Sequence, residues 1–467
     1  MSYGRTIIYT DAVSITAENV VDEVQKAYAT HCMNRSDISR LWGIYRGETR
    51  IRFKEKEIRP SINHKINENR AYEIVNFHKG YGFGEPIQYV RRENQNSIAS
   101  DEEIASDLNA LNGYMADANK AARDNELAQW FYVSGTSYRM TLPNPAWSKD
   151  GDEPPFKMYS LDPHNTFVVY SSSVDHAPLM GVCYVQRSDG QHVFSVYTEN
   201  AYYEFCDGIS GLYQKPHALG MLPIVEYPAD TARLGVFEIV EDQLNALDEL
   251  QSNRMDDIVQ TVNSILAIFG AEMSEESREK IEAWKMAFFP EGSDAKYLSP
   301  SMSQADIQTL KDDLCQSILE ICGMPNRNGG SSTSDTGAAV IMRDGWEDAE
   351  AKAKSTETMF KESEKQTLKL VLRILRDTVG TKLRLTDIET HFTRRNYANT
   401  VSKANVLVQM LNNPKIHPEL AFTHCGMFVD PASAYLQSQK YYEEQQAKWE
   451  PVTVDEEEED ADVPAAG

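Results

Sequence analysis

Apolar residues recur at steps of three and four along two stretches of this chain, and the spacing predicts two amphipathic helices around a compact insert. In the first, 235–269, the apolar face is Val240, Leu244, Leu247, Met255, Ile258, Val259, Val262, Ile265, Leu266 and Phe269. The other face carries Asp242, Asn245, Asp248, Glu249, Asp256, Asp257, Gln260 and Asn263. Such a helix would run on the order of 50 Å, with Gly270 as its stop. The second, 303–322, opens with Ser303 three residues before Asp306, a capping pair, and buries Ile307, Leu310, Leu314, Ile318 and Leu319 before Gly323 and Pro325 end it. Two readings stand: a hairpin that reaches out of its domain, or an ordinary buried pair. The loop 326–336 holds no large apolar residue and is expected to move. After it the pattern predicts a long helix, 337–379, with a polar middle of Glu/Lys pairs four apart, a possible kink at Gly345, and an apolar end at Leu368–Leu375.

Around this centre the chain reads as α then β. Residues 16–46 are helical in pattern with a break near Asn34–Ser36, and the basic run 50–56 reads as a solvated strand face. Residues 63–89 predict a helix ending in a glycine turn (Gly80, Gly82, Gly84) and then a strand. A dinucleotide loop would need the opposite order, strand before and helix after. Residues 101–133 are helical again. Strand-like runs follow at 157–161, 166–170, 179–187, 192–198, 201–205 and 224–227, separated by turn residues, which predicts an antiparallel meander and an α+β fold. The insert 271–300 reads as a short helix (274–285) and a hairpin pairing 286–289 with 295–298. Near the end lie a strand at 382–392, helices at 400–412 and 431–449, and an acidic tail from 450 onward that is expected to be disordered.

Charge narrows the function. The 467 residues hold 46 Lys and Arg against 71 Asp and Glu, a net −25. A protein that grips DNA over a large surface should instead be basic, because its affinity comes from displacing counterions. Six cysteines are scattered without a CxxC pair, so they read as reduced thiols rather than a disulfide framework or zinc knuckle. No apolar run approaches the roughly 18 residues needed to span a membrane, which predicts a soluble protein made in the cytosol.

Motifs of catalysis are missing. There is no GxxxxGK[ST] phosphate loop, no GxSxG elbow and no HExxH. Cys315 and Cys322, seven apart, read as small core residues, and the pairs Asp256/Asp257 and Asp312/Asp313 as solvated helix faces. No cofactor or metal is expected, and the chain reads as a non-enzyme.

Several segments, in order, resemble the portal proteins of tailed bacteriophages, the family typified by portals of Gram-positive siphophages. They are Asn63–Tyr89 with its Gly-Tyr and Pro-Ile turn, Leu222-Pro-Ile-Val-Glu-Tyr followed by Gly235-Val-Phe-Glu-Ile-Val, Thr336-Gly337-Ala338-Ala339 at the entry to the long helix, and Phe392-Thr-Arg-Arg-Asn. Thr336 stands where the family usually has Ser, and Tyr397 where it has Pro. The resemblance implies a portal-type α+β fold. By it, 1–234 would be an α/β wing, 235–270 and 303–325 a two-helix stem, 271–302 a small clip, 326–336 a tunnel loop, 337–380 the long kinked wing helix, 381–449 a helical crown and 450–467 the tail.

The function so implied is that of a ring, usually twelve copies, at a capsid vertex of the virion, through which double-stranded DNA is packaged and ejected. Twelve copies would carry roughly −300, a wall that DNA slides past rather than binds. The tunnel loop would present Asn326, Arg327, Asn328, Gly329, Gly330, Ser331, Ser332, Thr333 and Ser334 to the channel, Arg327 being its one basic residue. The clip would dock partners through Trp284, Phe288, Phe289, Glu291, Lys296 and Tyr297. Those partners would be the terminase large subunit and then a head-completion adaptor, with the major capsid protein and a scaffolding protein around the ring. Two competing readings are a hydrolase or nucleotidyl-transfer enzyme with an acidic site, motivated only by the surplus of carboxylates, and another ring or adaptor component of a virion.

Overall fold

The computed structural model describes residues 3–57, 60–92, 100–207, 211–262, 265–269, 294–298, 304–326, 346–394, 400–428 and 431–449. In chain order its strands and helices are β1 Ile8–Thr10, α1 Val20–Tyr45, α2 Arg70–Phe83, β2 Gln88–Arg91, α3 Asp101–Asp117, α4 Lys120–Ser134, β3 Thr136–Pro143, β4 Phe156–Leu161, β5 Thr166–Ser171, β6 Pro178–Gln186, β7 His192–Tyr197, β8 Ala201–Cys206, β9 Leu212–Pro216 and β10 Ile224–Pro228. Then come α5 Glu241–Val262, β11 Ile265–Phe269, β12 Asp294–Leu298, α6 Gln304–Cys322, α7 Trp346–Thr378, β13 Ile388–His391, α8 Thr400–Leu411, α9 Pro418–Cys425 and α10 Pro431–Trp449. The fold is α+β, as the pattern predicts.

Four of the six expected strands, β5 to β8, form the antiparallel meander together with β9, which the pattern does not show, while 157–161 (β4) and 224–227 (β10) lie in a second sheet; β1 extends the first by pairing in parallel with β5. A three-residue strand is too short to show an alternation, so β1 left no pattern to read. A second sheet, β10-β3-β4, crosses close to the first: a Cβ on Gly181 in β6 would meet Ile224 at 2.8 Å. The sheets approach there because that residue has no side chain.

Helix α1 joins two cores. Its buried residues, apart from Ile44, alternate steps of four and three: Val20, Val24, Ala27, His31, Asn34, Ile38, Leu41 and Tyr45. The first of them pack on the meander with Phe167, Val169 and Met180, and the last with α2, α4 and the start of α5. The expected break near Asn34 does not occur. The Asn34 amide instead accepts from Thr6 N–H (2.9 Å) and donates to Thr6 C=O (2.8 Å), so a residue that favours turns is used to bind a neighbouring strand segment. A third core joins α3, β4 and the apolar end of α7.

Other boundaries also shift. The segment before Arg70 is not helical; α2 starts there, capped by the Asn69 side chain, and Gly80 and Gly82 lie inside it. Asn119, at φ +54°, divides the 101–133 stretch into α3 and α4. The basic run opens with a 3-10 turn, Arg50–Phe53, rather than a strand.

The first predicted long helix ends at Val262, and Ile265–Phe269 is a strand paired antiparallel with Asp294–Leu298. A short apolar run fits helix or strand equally, and cross-strand pairing decides it. The 295–298 strand thus pairs with 265–269. The expected helix 274–285, the strand 286–289, the Ser303 cap, Gly345 and the tail lie outside the described residues. The sequence pattern does not reveal α9, a two-turn helix opened by Pro418.

Candidate functional site

The helices α5 and α6 are held by the segment 54–69, which we call the strap and whose described residues, 54–57 and 60–69, have no regular secondary structure. Asp248, Ser252 and Asp256 stand four apart on α5 and so form a row on one face. That row accepts alternate backbone N–H groups from 64 to 68 of the strap: Glu68 to Asp248 at 3.0 Å, Ile66 to Ser252 at 2.9 Å and His64 to Asp256 at 2.8 Å. Thr49 also donates to Asp248 (3.0 Å), the His64 ring nitrogen Nδ1 lies 2.7 Å from Asp256, and Lys56 forms an ion pair with it. All three acceptors are buried.

Burial pushes the Asp256 carboxyl up, but the bonds from Lys56 and His64 outweigh it and hold its pKa below the usual range. At Asp248 burial prevails and the pKa is raised. The pair Asp256/Asp257 is therefore no solvated face: Asp256 ties strap to helix, while Asp312 and Asp313 are exposed as expected. Four-residue spacing of Asp, Ser and Asp was visible in the sequence, but nothing in it revealed a chain lying alongside. Glu68 closes the unit by accepting from Gln251 of α5 (2.5 Å) and Lys311 of α6 (2.7 Å).

The apolar stripes of the two helices divide along their length. Val240, Leu244, Leu247, Ile318 and Cys322 are buried in their own core. Farther along, Met255 is 39% exposed, Ile258 41% and Leu310 50%. The described residues cover these side chains only in part, which agrees better with a hairpin that reaches out of its domain than with a fully buried pair.

Of the expected channel residues, Asn326 follows α6, half-buried; Arg327, Asn328, Gly329, Gly330, Ser331, Ser332, Thr333 and Ser334 lie outside the described residues. Of the docking residues, Lys296 and Tyr297 lie on β12 opposite Ala267 and Leu266, and Trp284, Phe288, Phe289 and Glu291 fall outside the described set. Among the described residues there is no group of three or more His, Cys, Asp or Glu placed to hold a metal, and no helix long and apolar enough to cross a membrane. Cys322 is buried and Cys315 packs against the same core, as small core residues do.

One cluster escaped the pattern. Inside the long helix, fully buried Glu364 accepts from Tyr89 (2.5 Å), Tyr227 (2.7 Å) and Arg139 (3.1 Å), with Lys120 at 3.2 Å. Arg139 and Lys120 also reach Asp124, so two cations meet two carboxylates. This neutral knot fixes α7 against β2, β3, β10 and α4. In the sequence Glu364 looks like any other charge in a polar helix.

The chain is an α+β fold in which the paired helices α5 and α6 are buried at one end and partly exposed farther along. The family model for phage portal protein, SPP1 Gp6-like, matches residues 25–451, and the chain belongs to that family. No curated protein matches it. Solved structures that resemble it, all at 13% identity, come from gene transfer agent (GTA) particles. They are the neck of the empty particle computed with C6 symmetry (TM-score 0.46, 76% of this chain and 90% of that one), the virion of the native particle (0.41, 76% and 89%) and the neck of the native particle computed with C12 symmetry (0.43, 76% and 89%).

Proposed function

We propose that copies of this chain close into a ring at the capsid vertex of a phage virion and form the channel for double-stranded DNA. The observation that carries the reading is the row of uncovered apolar residues on α5 and α6. Exposed on one copy, they are the kind of surface that a neighbouring copy buries. On this reading 1–234 with α7 form the wing, α5 and α6 the stem, 271–302 the clip, 326–336 the tunnel loop and 381–449 the crown. The clip then docks the terminase large subunit and later an adaptor, the major capsid and scaffolding proteins surround the wing, and the ring assembles in the host bacterial cytoplasm. The net charge of −25 per copy suits a wall that repels DNA, with Arg327 as a light phosphate contact.

Mass photometry of the purified chain at micromolar concentration tests it. The expected result is one dominant species near twelve times the 52.8 kDa chain. A chain that stays monomeric or dimeric overturns the ring.

A further inference from the structure

In a chain with so large an acidic surplus, residues 46–70 stand out: they hold eight Lys or Arg against four Glu. The structure gathers several of them on one surface. Arg46, Arg50, Arg52 and Lys65 are exposed, and Phe53 among them is 79% exposed. Lys65 Nζ donates to the Arg52 carbonyl (3.0 Å) and Arg52 Nε to the Gly47 carbonyl (3.1 Å), so these two cations are close together on backbone acceptors, while Arg46 and Arg50 lie at the long end of ion-pair distance from Glu48 (3.6 Å) and Glu241 (3.7 Å). Beneath them the row Asp248, Ser252 and Asp256 pins the strap to α5. The basic surface is therefore presented on a backbone that is already fixed, which lowers the ordering cost of docking.

The opposite flank of the helix pair has the opposite charge. On α6, Gln308, Lys311, Cys315, Ile318 and Cys322 form the face turned to the rest of the chain, where Lys311 meets Glu68 and Gln308 meets Arg254. Half a turn away lie Asp306, Leu310, Asp313 and Glu320, all exposed. Each copy thus carries a basic surface centred on Phe53 and an acidic one centred on Leu310.

We propose that the basic surface centred on Phe53, formed by Arg46, the 3-10 turn Arg50–Phe53 and Lys65 of the strap, docks on the acidic outer face of α6 in the next copy. The proposal rests on the ring reading above and names the contact that sets its direction. A head-to-tail contact needs two different, complementary patches on one subunit. A phosphate backbone is the less suitable occupant, because Glu48, Glu55 and Glu57 interrupt the basic run and would repel it, whereas a protein face of mixed sign tolerates them.

Charge exchange tests the contact. One variant carries Arg46→Glu, Arg52→Glu and Lys65→Glu, the other Asp313→Lys and Glu320→Lys; circular dichroism and thermal unfolding confirm that each is folded. In mass photometry each alone is expected to need at least about tenfold more protein than the parent chain to form rings. An equimolar mixture is expected to regain rings of alternating copies, since the Phe53 surface of one, now acidic, faces the basic α6 of the other. Rings from either variant alone at the parent's concentration would overturn the proposal, and so would folded variants that stay apart when mixed. An Arg46→Glu, Arg52→Glu, Lys65→Glu variant that assembles normally but loses gel-shift binding of a duplex oligonucleotide would reassign the surface to DNA and overturn it too. Failure of the parent chain to form rings is a separate result and sinks the ring reading itself.

Discussion

Glu364 and two histidines set how this protein responds to acid. Burial alone would raise the Glu364 pKa, but Lys120 and Arg139, with the hydroxyls of Tyr89 and Tyr227, pull it down to about 2. His31 and His78 are buried against the carbonyls of His164 and Cys322, and burial pushes both down to about 4. In each case the folded state binds its proton less readily than the unfolded chain, so the stabilisation is complete above the unfolded pKa and is lost on acidification. For the histidines the loss runs from about 6.5 to about 4, and for Glu364 it follows, from the usual carboxylate range toward 2. Urea denaturation measured from pH 7 to pH 3 should therefore show two successive declines. His31→Gln with His78→Gln should flatten the first. Glu364→Gln should flatten the second while costing roughly 3–5 kcal/mol at neutral pH, because Arg139 and Lys120 keep only Asp124. A second decline that survives Glu364→Gln would assign it to other carboxylates. None of this was legible in the sequence, where Glu364 sits among Lys361, Glu362 and Lys365 and where single histidines carry no pattern.

Elements were read most faithfully where the apolar period was long. The α1 face runs its full length at alternating steps of four and three, and the six strands read in the β-rich part match the observed ones within a residue or two at each end. The misreadings share a cause: a residue or run whose local preference is ambiguous was decided by a partner remote in sequence. Asn34 stays helical because Thr6 binds it, Ile265–Phe269 becomes a strand because Asp294–Leu298 pairs with it, and 63–69 leaves the helical path because α5 captures its N–H groups. The uncovered stripe on α5 and α6 makes a prediction at this scale. Ile258→Asp and Leu310→Asp introduce charge at sites open to solvent in a single copy, so each should change monomer stability by less than about 0.5 kcal/mol. Both should nevertheless suppress ring formation, since a charge buried between copies has no partner. A large drop in melting temperature with assembly intact would place those side chains in the core of one copy instead.

For the whole molecule, charge and the 326–336 loop decide the working of the proposed channel. Deleting Gly329–Ser334 should leave the ring assembled, as judged by mass photometry, while lowering the amount of DNA packaged or retained in particles. Loss of the ring on deletion would make the loop a structural joint. The sequence by itself determined the acidic balance, the helix-then-sheet order, the two amphipathic helices and the family, because each depends on composition, on periodicity along the chain, or on motifs in a fixed order. Only the tertiary structure decided which charges are solvated and which are buried, that the strap lies on Asp248, Ser252 and Asp256, and that the apolar stripes of α5 and α6 are covered at one end and open at the other. Burial is a property of what lies opposite a residue in space, and residues such as Thr49 and Asp248, or Tyr89 and Glu364, meet only once the chain has folded.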